Sequence, residues 1–518
     1  MSEEKCILSL DIGTTSIRCF IYNKSANIIG RSSLPIKMIY PDDQAVELDP
    51  KTLWEDITSV VKDAISHAGV QSDMISAMGI STQRATFTVW DKITGKPFHN
   101  FIGWQDTRAD HFAQSWNNSY TMKAVRTVSR SIYAVSQKSK FLAAAVIQFR
   151  AQHVSMRMLW FLQKYPNIKP LAEQGKVCFG TLETWLIWKL TKGKEYSAEI
   201  SCASATGLFD PFISEWSSFF CRLLGIPKQM FPPVKDTSAH FGKCDVELFG
   251  AAIPICAAVG DQQAAMFGQC CFGPGDLKLT IGTGAFLTLN VGVKPHASVE
   301  GFYPVVGWKI GSQVVHLAEG SSNTAGNAIE WLKSMNLIHN APEANTIAQS
   351  VQSSEGVYFV PAFNGIQAPV NDYLACGSIM GITQKTRTPH IVRAVLESLA
   401  FRNMQLFESL KAETSLPMNR FVCDGGVSAS NLVLQLTADL IGKEIYVQSH
   451  SEMSALGAAF LAGLHVNYWK NQNELKTLVH VRQKYVPNAQ VSADYKRVLS
   501  QWWKAAKRSM RWYEEEKC

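Results

Sequence analysis

Leu10-Asp11-Ile12-Gly13-Thr14-Thr15-Ser16-Ile17-Arg18 is the stretch on which the fold turns. Residues 6–10 read as a buried strand that ends on the Asp11 carboxylate. Beyond the Gly-Thr-Thr-Ser turn, Ile17, Cys19 and Ile21 alternate with Arg18, Phe20 and Tyr22 as a returning strand, and residues 23–26 turn into a third. A carboxylate at a strand end beside glycine and three hydroxyls suits a metal-bound phosphate. Glycine lets the backbone approach, hydroxyls and N–H groups donate to phosphate oxygens, and the carboxylate holds hydrated magnesium. An ordinary hairpin turn rich in Gly and Thr has the same composition.

The pattern returns farther along. Residues 276–289 read as strand, Gly282-Thr283-Gly284 turn and strand, and a clamp on a triphosphate would need both such turns. A helix is expected from Asp49-Pro50, a capping residue followed by proline at the first helical position, with Leu53, Trp54, Ile57, Val60, Val61, Ala64 and Ile65 on one face. Strands follow at 75–81 and 86–90. A long amphipathic helix is expected over 390–410, then a strand at 421–424 opening into Gly425-Gly426, and a helix over 429–441. Two similar halves predict a duplicated α/β unit with a cleft between, divided near residues 261–275.

Composition narrows the classes. Of 518 residues, 46% are hydrophobic and 18% charged, enough apolar material for sizeable cores and too much for a disordered chain. No apolar run approaches the ~20 residues of a membrane-spanning helix. The acidic start Met1-Ser2-Glu3-Glu4 is no secretory signal, so a cytoplasmic chain with reduced thiols is expected. Its twelve cysteines include no CxxC pair, which argues against zinc. Nucleic acid is not expected as a partner, and a homodimer is one assembly allowed. Net charge is +7, yet residues 111–172 hold nine lysines and arginines and no acid. That segment reads as a solvated face, or as a surface for an acidic partner or membrane.

Two further constellations carry chemistry. Gly260-Asp261-Gln262-Gln263 puts a carboxylate and an amide at the start of an apolar helix, where the pair can orient and deprotonate a hydroxyl. The helix N-terminus is expected to lower the carboxylate pKa and keep it ionised; a plain helix cap is the alternative. Asp424-Gly425-Gly426-Val427-Ser428-Ala429-Ser430-Asn431 offers a flat backbone surface for adenine or ribose, or simply a tight strand–helix turn. A GxxxxGK[ST] loop and the HRD and DFG motifs of protein kinases are absent, so phosphate chemistry here needs another architecture.

In this order, and together with Gly79-Ile80-Ser81-Thr82-Gln83-Arg84, Trp104-Gln105-Asp106-Thr107-Arg108, Gly377-Ser378-Ile379-Met380-Gly381-Ile382 and Ser454-Ala455-Leu456-Gly457, these residues resemble the FGGY carbohydrate kinases, in their glycerol kinase branch. The resemblance runs from Leu8 to about Trp512. It implies two ribonuclease-H-like domains of the actin and hexokinase type: an N-terminal domain over 1–265, a C-terminal domain over 266–470 and an amphipathic helical tail over 471–518. It implies Asp261 as the general base, with Arg84, Trp104, Gln262 and Phe286 lining a polyol pocket. Asp11 would carry Mg2+ through water. Thr14, Thr15, Arg18 and Thr283 would bind the phosphates of ATP, and Gly326, Gly426, Val427 and Asn431 its adenosine side.

Three departures stand out. Glycerol kinases place a glutamate where this chain has Ala85; the family's Asp-Pro-Tyr-Phe segment has no clear counterpart in residues 125–160; and residues 244–253 lack the Gly/Arg-rich loop through which bacterial members bind a sugar bisphosphate. The expected function is ATP-dependent phosphorylation of glycerol to sn-glycerol 3-phosphate. A kinase for another small polyol or sugar, and a catalytically weak ATP-binding regulator, are the alternatives. The tail is expected to dock on its parent domain rather than lie in a membrane.

Overall fold

A computed structural model describes residues 4–513. Strands β1 (Cys6–Ile12), β2 (Ser16–Tyr22), β3 (Ile28–Pro35), β4 (Ile75–Thr82) and β5 (Ile255–Gly260) form one sheet in the order β5-β4-β1-β2-β3. β1 is buried along its whole length, as its central position requires. It pairs antiparallel with β2 and parallel with β4, so Asp11 faces Arg18 on one side and Ser81 on the other.

The second sheet repeats the plan. Strands β6 (Leu277–Ile281), β7 (Ala285–Gly292), β8 (Tyr303–Ile310), β9 (Gln313–Ser322), β10 (Phe421–Asp424), β11 (Ile445–Gln448) and β12 (Val481–Tyr485) run in the order β8-β9-β7-β6-β10-β11-β12. Here β6, β7 and β9 take the places of β1, β2 and β3, while β10 and β11 take those of β4 and β5. The duplication expected from the two Gly-Thr turns is therefore a topological repeat, with β8 and β12 added at the edges.

Helices α1 (Pro50–Ala68), α2 (Tyr120–Ser136), α3 (Ser139–Val146), α4 (Val154–Lys164), α5 (Asp261–Gly268), α6 (Thr388–Glu413), α7 (Asn431–Ile441), α8 (Met453–His465) and α9 (Ala489–Ser509) carry the rest of the argument. Asp49 caps α1 by accepting from the Thr52 N–H at 2.7 Å, Pro50 opens it, and Gly69 ends it at φ +63°. Leu53, Ile57, Val60, Val61, Ala64 and Ile65 are its buried stripe. Segments on both sides of β4 build a further layer. Helices α2, α3 and α4 join a small sheet of Met38–Ile39, Glu47–Leu48, Phe101–Ile102, Phe87–Asp91 and Val177–Thr181.

Helix α8 lies against β1, β4 and β5 of the first sheet and against α5. Its small residues permit a backbone-to-backbone fit. A Cβ on Gly457 would stand 1.8 Å from Ala264 O, one on Gly268 2.2 Å from Met453 O, and one on Gly79 2.1 Å from Ala458 O. Ala264, Met266 and Phe267 of α5, Leu456 and Phe460 of α8 and Trp308 and Leu317 of the second sheet share one buried cluster between the halves.

Two helix ends differ from expectation. α7 starts at Asn431 rather than 429, because Ser430 caps it and Gly426–Ala429 form a 3-10 turn first. The tail helix, expected over 495–516 with Met510 among its docking residues, starts at Ala489, capped by Asn488, and stops at Ser509, so Met510 lies past its end; Glu514, Glu515 and Glu516 lie outside the described residues. It docks as expected: Trp502 is buried and donates to Phe359 O at 2.8 Å. Among the described residues no helix is long and apolar enough to cross a membrane.

Candidate active site

The first turn is closed by Gly13 N–H donating to Ser16 O at 3.0 Å. Asp11 is fully buried. Its Oδ2 accepts from Arg18 Nη2 at 2.5 Å and from Ser454 Oγ at 2.8 Å, while Oδ1 meets no donor among the described residues. Arg18 also pairs with Glu452, so the guanidinium is held between the first turn and the start of α8. Burial of Arg18 would lower its pKa, but the charges of Asp11 and Glu452 outweigh this and raise it. Thr14 is half-buried and Thr15 exposed. The Thr14 hydroxyl accepts from Trp104 Nε1 at 3.0 Å, a bond that ties a predicted polyol residue to a predicted phosphate residue.

Asp261 opens α5 directly after β5. Its Oδ1 accepts from the Gln262 N–H at 2.7 Å and stands 3.7 Å from Arg84 Nε. A quarter of the side chain remains accessible. The expectation that the helix N-terminus would lower its pKa is corrected here. Desolvation, reinforced by the charges of Asp11 and Glu319, outweighs Arg84 and the Gln262 N–H and pushes it up to about 6. Arg84 is the neighbouring anchor: Nη2 donates to Glu319 Oε1 at 2.6 Å, and Nη1 is buried without an acceptor among the described residues. Gln262 Oε1 accepts from Lys278 Nζ at 2.8 Å, and Lys278 also bonds Thr280.

Phe286 sits on β7 opposite Ser321 and Thr280, half-buried, and no ring contact joins it to Trp104 among the described residues. The structure thus brings Asp11 to Arg18, Thr14 to Trp104, Arg84 to Asp261 and Gln262 to Lys278, and leaves Phe286 outside those contacts. Ala85, which stands where the family pattern has glutamate, adopts φ +63°. Its carbonyl accepts from Arg157 Nη2 at 2.8 Å.

In the second half, Gly282 N–H donates to Gly284 O at 2.9 Å, matching the first turn. Thr283 is exposed, and its carbonyl accepts from the Ala325 N–H at 3.1 Å. Gly326 N–H donates to Gly282 O at 2.9 Å, and a Cβ there would stand 2.5 Å from that oxygen, so this approach needs glycine. Gly425, at φ +91°, is pressed against Ile281 in the same way, which brings Gly426 beside the second turn. A Cβ on Gly426 would meet nothing within 4 Å, so its backbone faces open space. Val427 packs onto the core of the second half, and Asn431 Oδ1 accepts from Tyr485 OH at 2.6 Å.

Sequence reasoning missed four residues. Glu319, fully buried, gathers Arg84 and Tyr303, whose hydroxyl donates at 2.5 Å. Burial would raise this carboxyl, yet Arg84 and the two hydrogen bonds hold it below its ordinary value. Lys278 has a buried ammonium next to Gln262, and the only sequence signal for it was a charge inside an apolar strand. Arg157 of α4 is wholly buried and donates to four backbone carbonyls, those of Ala85, Ile102, Gly103 and Gln152. Desolvation lowers its pKa to about 9.

Comparison with known proteins places this geometry. Residues 6–268 match the FGGY family of carbohydrate kinases, N-terminal domain, and residues 277–466 its C-terminal domain. Glycerol kinase 5 of Danio rerio is 49% identical over 99% of this chain and 98% of its own. Glycerol kinase 2 of Thermotoga maritima is 37% identical over 98% of this chain and 99% of its own. The crystal structure of Plasmodium falciparum glycerol kinase with ADP superposes with a TM-score of 0.87 at 31% identity, covering 98% of each chain. With both halves matched and relatives aligned end to end, the chain belongs to the FGGY family of carbohydrate kinases, in its glycerol kinase branch.

Proposed function

We propose that this protein transfers the γ-phosphoryl group of ATP to a terminal hydroxyl of glycerol, giving sn-glycerol 3-phosphate and ADP. The observation that carries the reading is Asp261: a partly accessible carboxylate raised to about 6, still mostly ionised near neutral pH, beside an Arg84 with one uncommitted nitrogen. Asp261 takes the hydroxyl proton as the oxygen attacks phosphorus, the role of a positioned base in phosphoryl transfer. Arg84 Nη1 and the Gln262 amide orient the remaining hydroxyls, and Trp104 and Phe286 cover the carbon chain.

The two turns hold the phosphates through Thr14, Thr15, Arg18 and Thr283, while Gly326, Gly426, Val427 and Asn431 take the adenosine side. Asp11 fits a magnesium site on its buried, donor-free Oδ1, since Mg2+ keeps most of its waters and takes only one or two carboxylates. Bound there, the ion would neutralise charge on the phosphates. The proposed domains are 1–265 for polyol and first phosphate turn, 266–470 for adenosine and 471–518 for the tail. Cytoplasmic residence fits the eleven unpaired thiols among the described residues.

Ala85 favours a second reading, a kinase for another small polyol, because the acceptor that glutamate would supply is missing. A panel of glycerol, glyceraldehyde, dihydroxyacetone and pentitols with ATP and magnesium, scored for ADP release, separates the two. Glycerol is expected to give the highest kcat/KM. A pentitol ahead of glycerol would establish the second reading, and no turnover with any of them would leave only an ATP-binding regulator.

A further inference from the structure

Helices α2 and α3 form a hairpin that uses little of its surface for packing. In α2 only Met122 and Ser129 are buried, and in α3 only Ala145. The outer side of α2 is apolar at helical spacing: Ala124, Val128, Ile132 and Val135 form one stripe beside Tyr120. Tyr120 and Val135 are each 90% exposed. Lys123 and Arg130 flank that stripe on α2, and Lys138 and Lys140 follow at the start of α3; all four are exposed. None of them makes an ion pair among the described residues. No acidic residue occurs between His111 and Ala172 to offset them.

An apolar stripe flanked by unpaired lysines and arginines is the combination that seats a helix in the interface of an anionic bilayer. The side chains enter the acyl boundary while the cations reach the headgroups. A soluble acidic partner would need the charges but not the exposed valines, and no acid within residues 111–172 offsets the cations. We propose that the α2–α3 hairpin docks this protein on membranes rich in anionic phospholipid. The docking surface lies outside the proposed catalytic machinery, so it does not depend on which polyol is phosphorylated.

The test is sedimentation of the full chain with vesicles of phosphatidylcholine plus phosphatidylserine, and of phosphatidylcholine alone. Binding is expected to the first only and to weaken with added salt. Lys123→Glu, Arg130→Glu, Lys138→Glu and Lys140→Glu combined should lower the partition about tenfold or more. The uncharged set Val128→Ser, Ile132→Ser and Val135→Ser should lower it severalfold; thermal melting checks that each variant is folded. Either set alone suffices if the other fails to fold, because both change exposed positions. Equal pelleting with both vesicle types, or none with either, overturns the proposal. So does loss on charge reversal with full binding by the serine set, which would indicate a soluble polyanion. A wild-type dimer without lipid that the serine set dissociates would assign the stripe to a second copy of this chain, and also overturns it.

Discussion

The two Gly-Thr turns are the same device wired differently. Each closes a strand pair through a glycine N–H, between β1 and β2 in one half and between β6 and β7 in the other. The first is a charged turn: Asp11, Arg18 and Glu452 converge behind it, and Trp104 is bonded to its tip. The second is almost bare backbone, with Gly284, Gly326 and Gly425 each pressed against a carbonyl. Duplication supplied one geometry twice, and the halves then diverged. One half concentrates charge behind its turn, and the other offers N–H and carbonyl groups at close range.

The largest expected effect lies between the turns. Asp261→Asn should lower kcat about 10²–10⁴-fold while ATP binding persists, read by ADP release and nucleotide titration. Near-normal turnover would remove the base from the scheme. The wild-type kcat/KM should fall as pH drops through about 6, as Asp261 takes up its proton. The stability sign is opposite to that of a salt-bridged acid. A carboxyl raised on folding favours the fold when protonated, and that contribution is lost as pH rises from about 4 toward about 6. Asp261→Asn is therefore expected to raise the melting temperature at neutral pH, by about 1–3 kcal/mol of stability.

Next in size is Arg157→Met. It removes a donor from four carbonyls, two in buried hydrogen bonds (Ile102 and Gly103) and two in partly buried ones (Ala85 and Gln152), at a cost of about 3–5 kcal/mol, visible in denaturant unfolding. Two of those carbonyls belong to Ala85 and Gly103, the neighbours of Arg84 and Trp104, so a variant that still folds should lose polyol affinity more than ATP affinity. Equal losses in both would make Arg157 a purely structural residue.

A paired substitution probes the turns directly. A Cβ at Gly284 would stand 2.7 Å from Ser322 O, so Gly284→Ala should cost about 1–3 kcal/mol. At Gly13 the nearest atom would be Ser16 O at 3.7 Å, so Gly13→Ala should leave stability within about 0.5 kcal/mol and weaken nucleotide binding instead. Equal destabilisation at both sites would erase the contrast. The smallest effect is expected of Ala85→Glu, which should lower the KM for glycerol up to about tenfold by restoring an acceptor. The left-handed backbone there already carries the Cβ of Ala85, so glutamate meets no new Cβ strain.

The strands and turns of both halves were legible because their signals are local: the apolar run of β1, the alternation of β2, and glycine with threonine between. Helix α1 could be read to the residue at its start, since Asp49 and Pro50 act on their immediate neighbours. The Arg84–Glu319 pair could not, because its partners lie 235 positions apart and meet only once the two sheets pack. The pKa of Asp261 was misjudged for a related reason. Helix position is visible in sequence, but the desolvation that outweighs it comes from residues brought in by the fold. Arg157 looked like one more member of a basic run, and only its four carbonyl acceptors separate it from the exposed cations around it.

The glycine contacts of α8 have a mechanical consequence. Where Gly457 rides on Ala264 and Gly79 on Ala458 the contact is backbone on backbone, with Met266, Phe267, Leu456 and Phe460 packed beside it. The two carboxylates sit on either side of this contact: α8 grips Asp11 through Ser454, and α5 begins with Asp261. A shift of α8 along α5 would therefore move Ser454, and with it the hydrogen bond on Asp11, relative to Asp261.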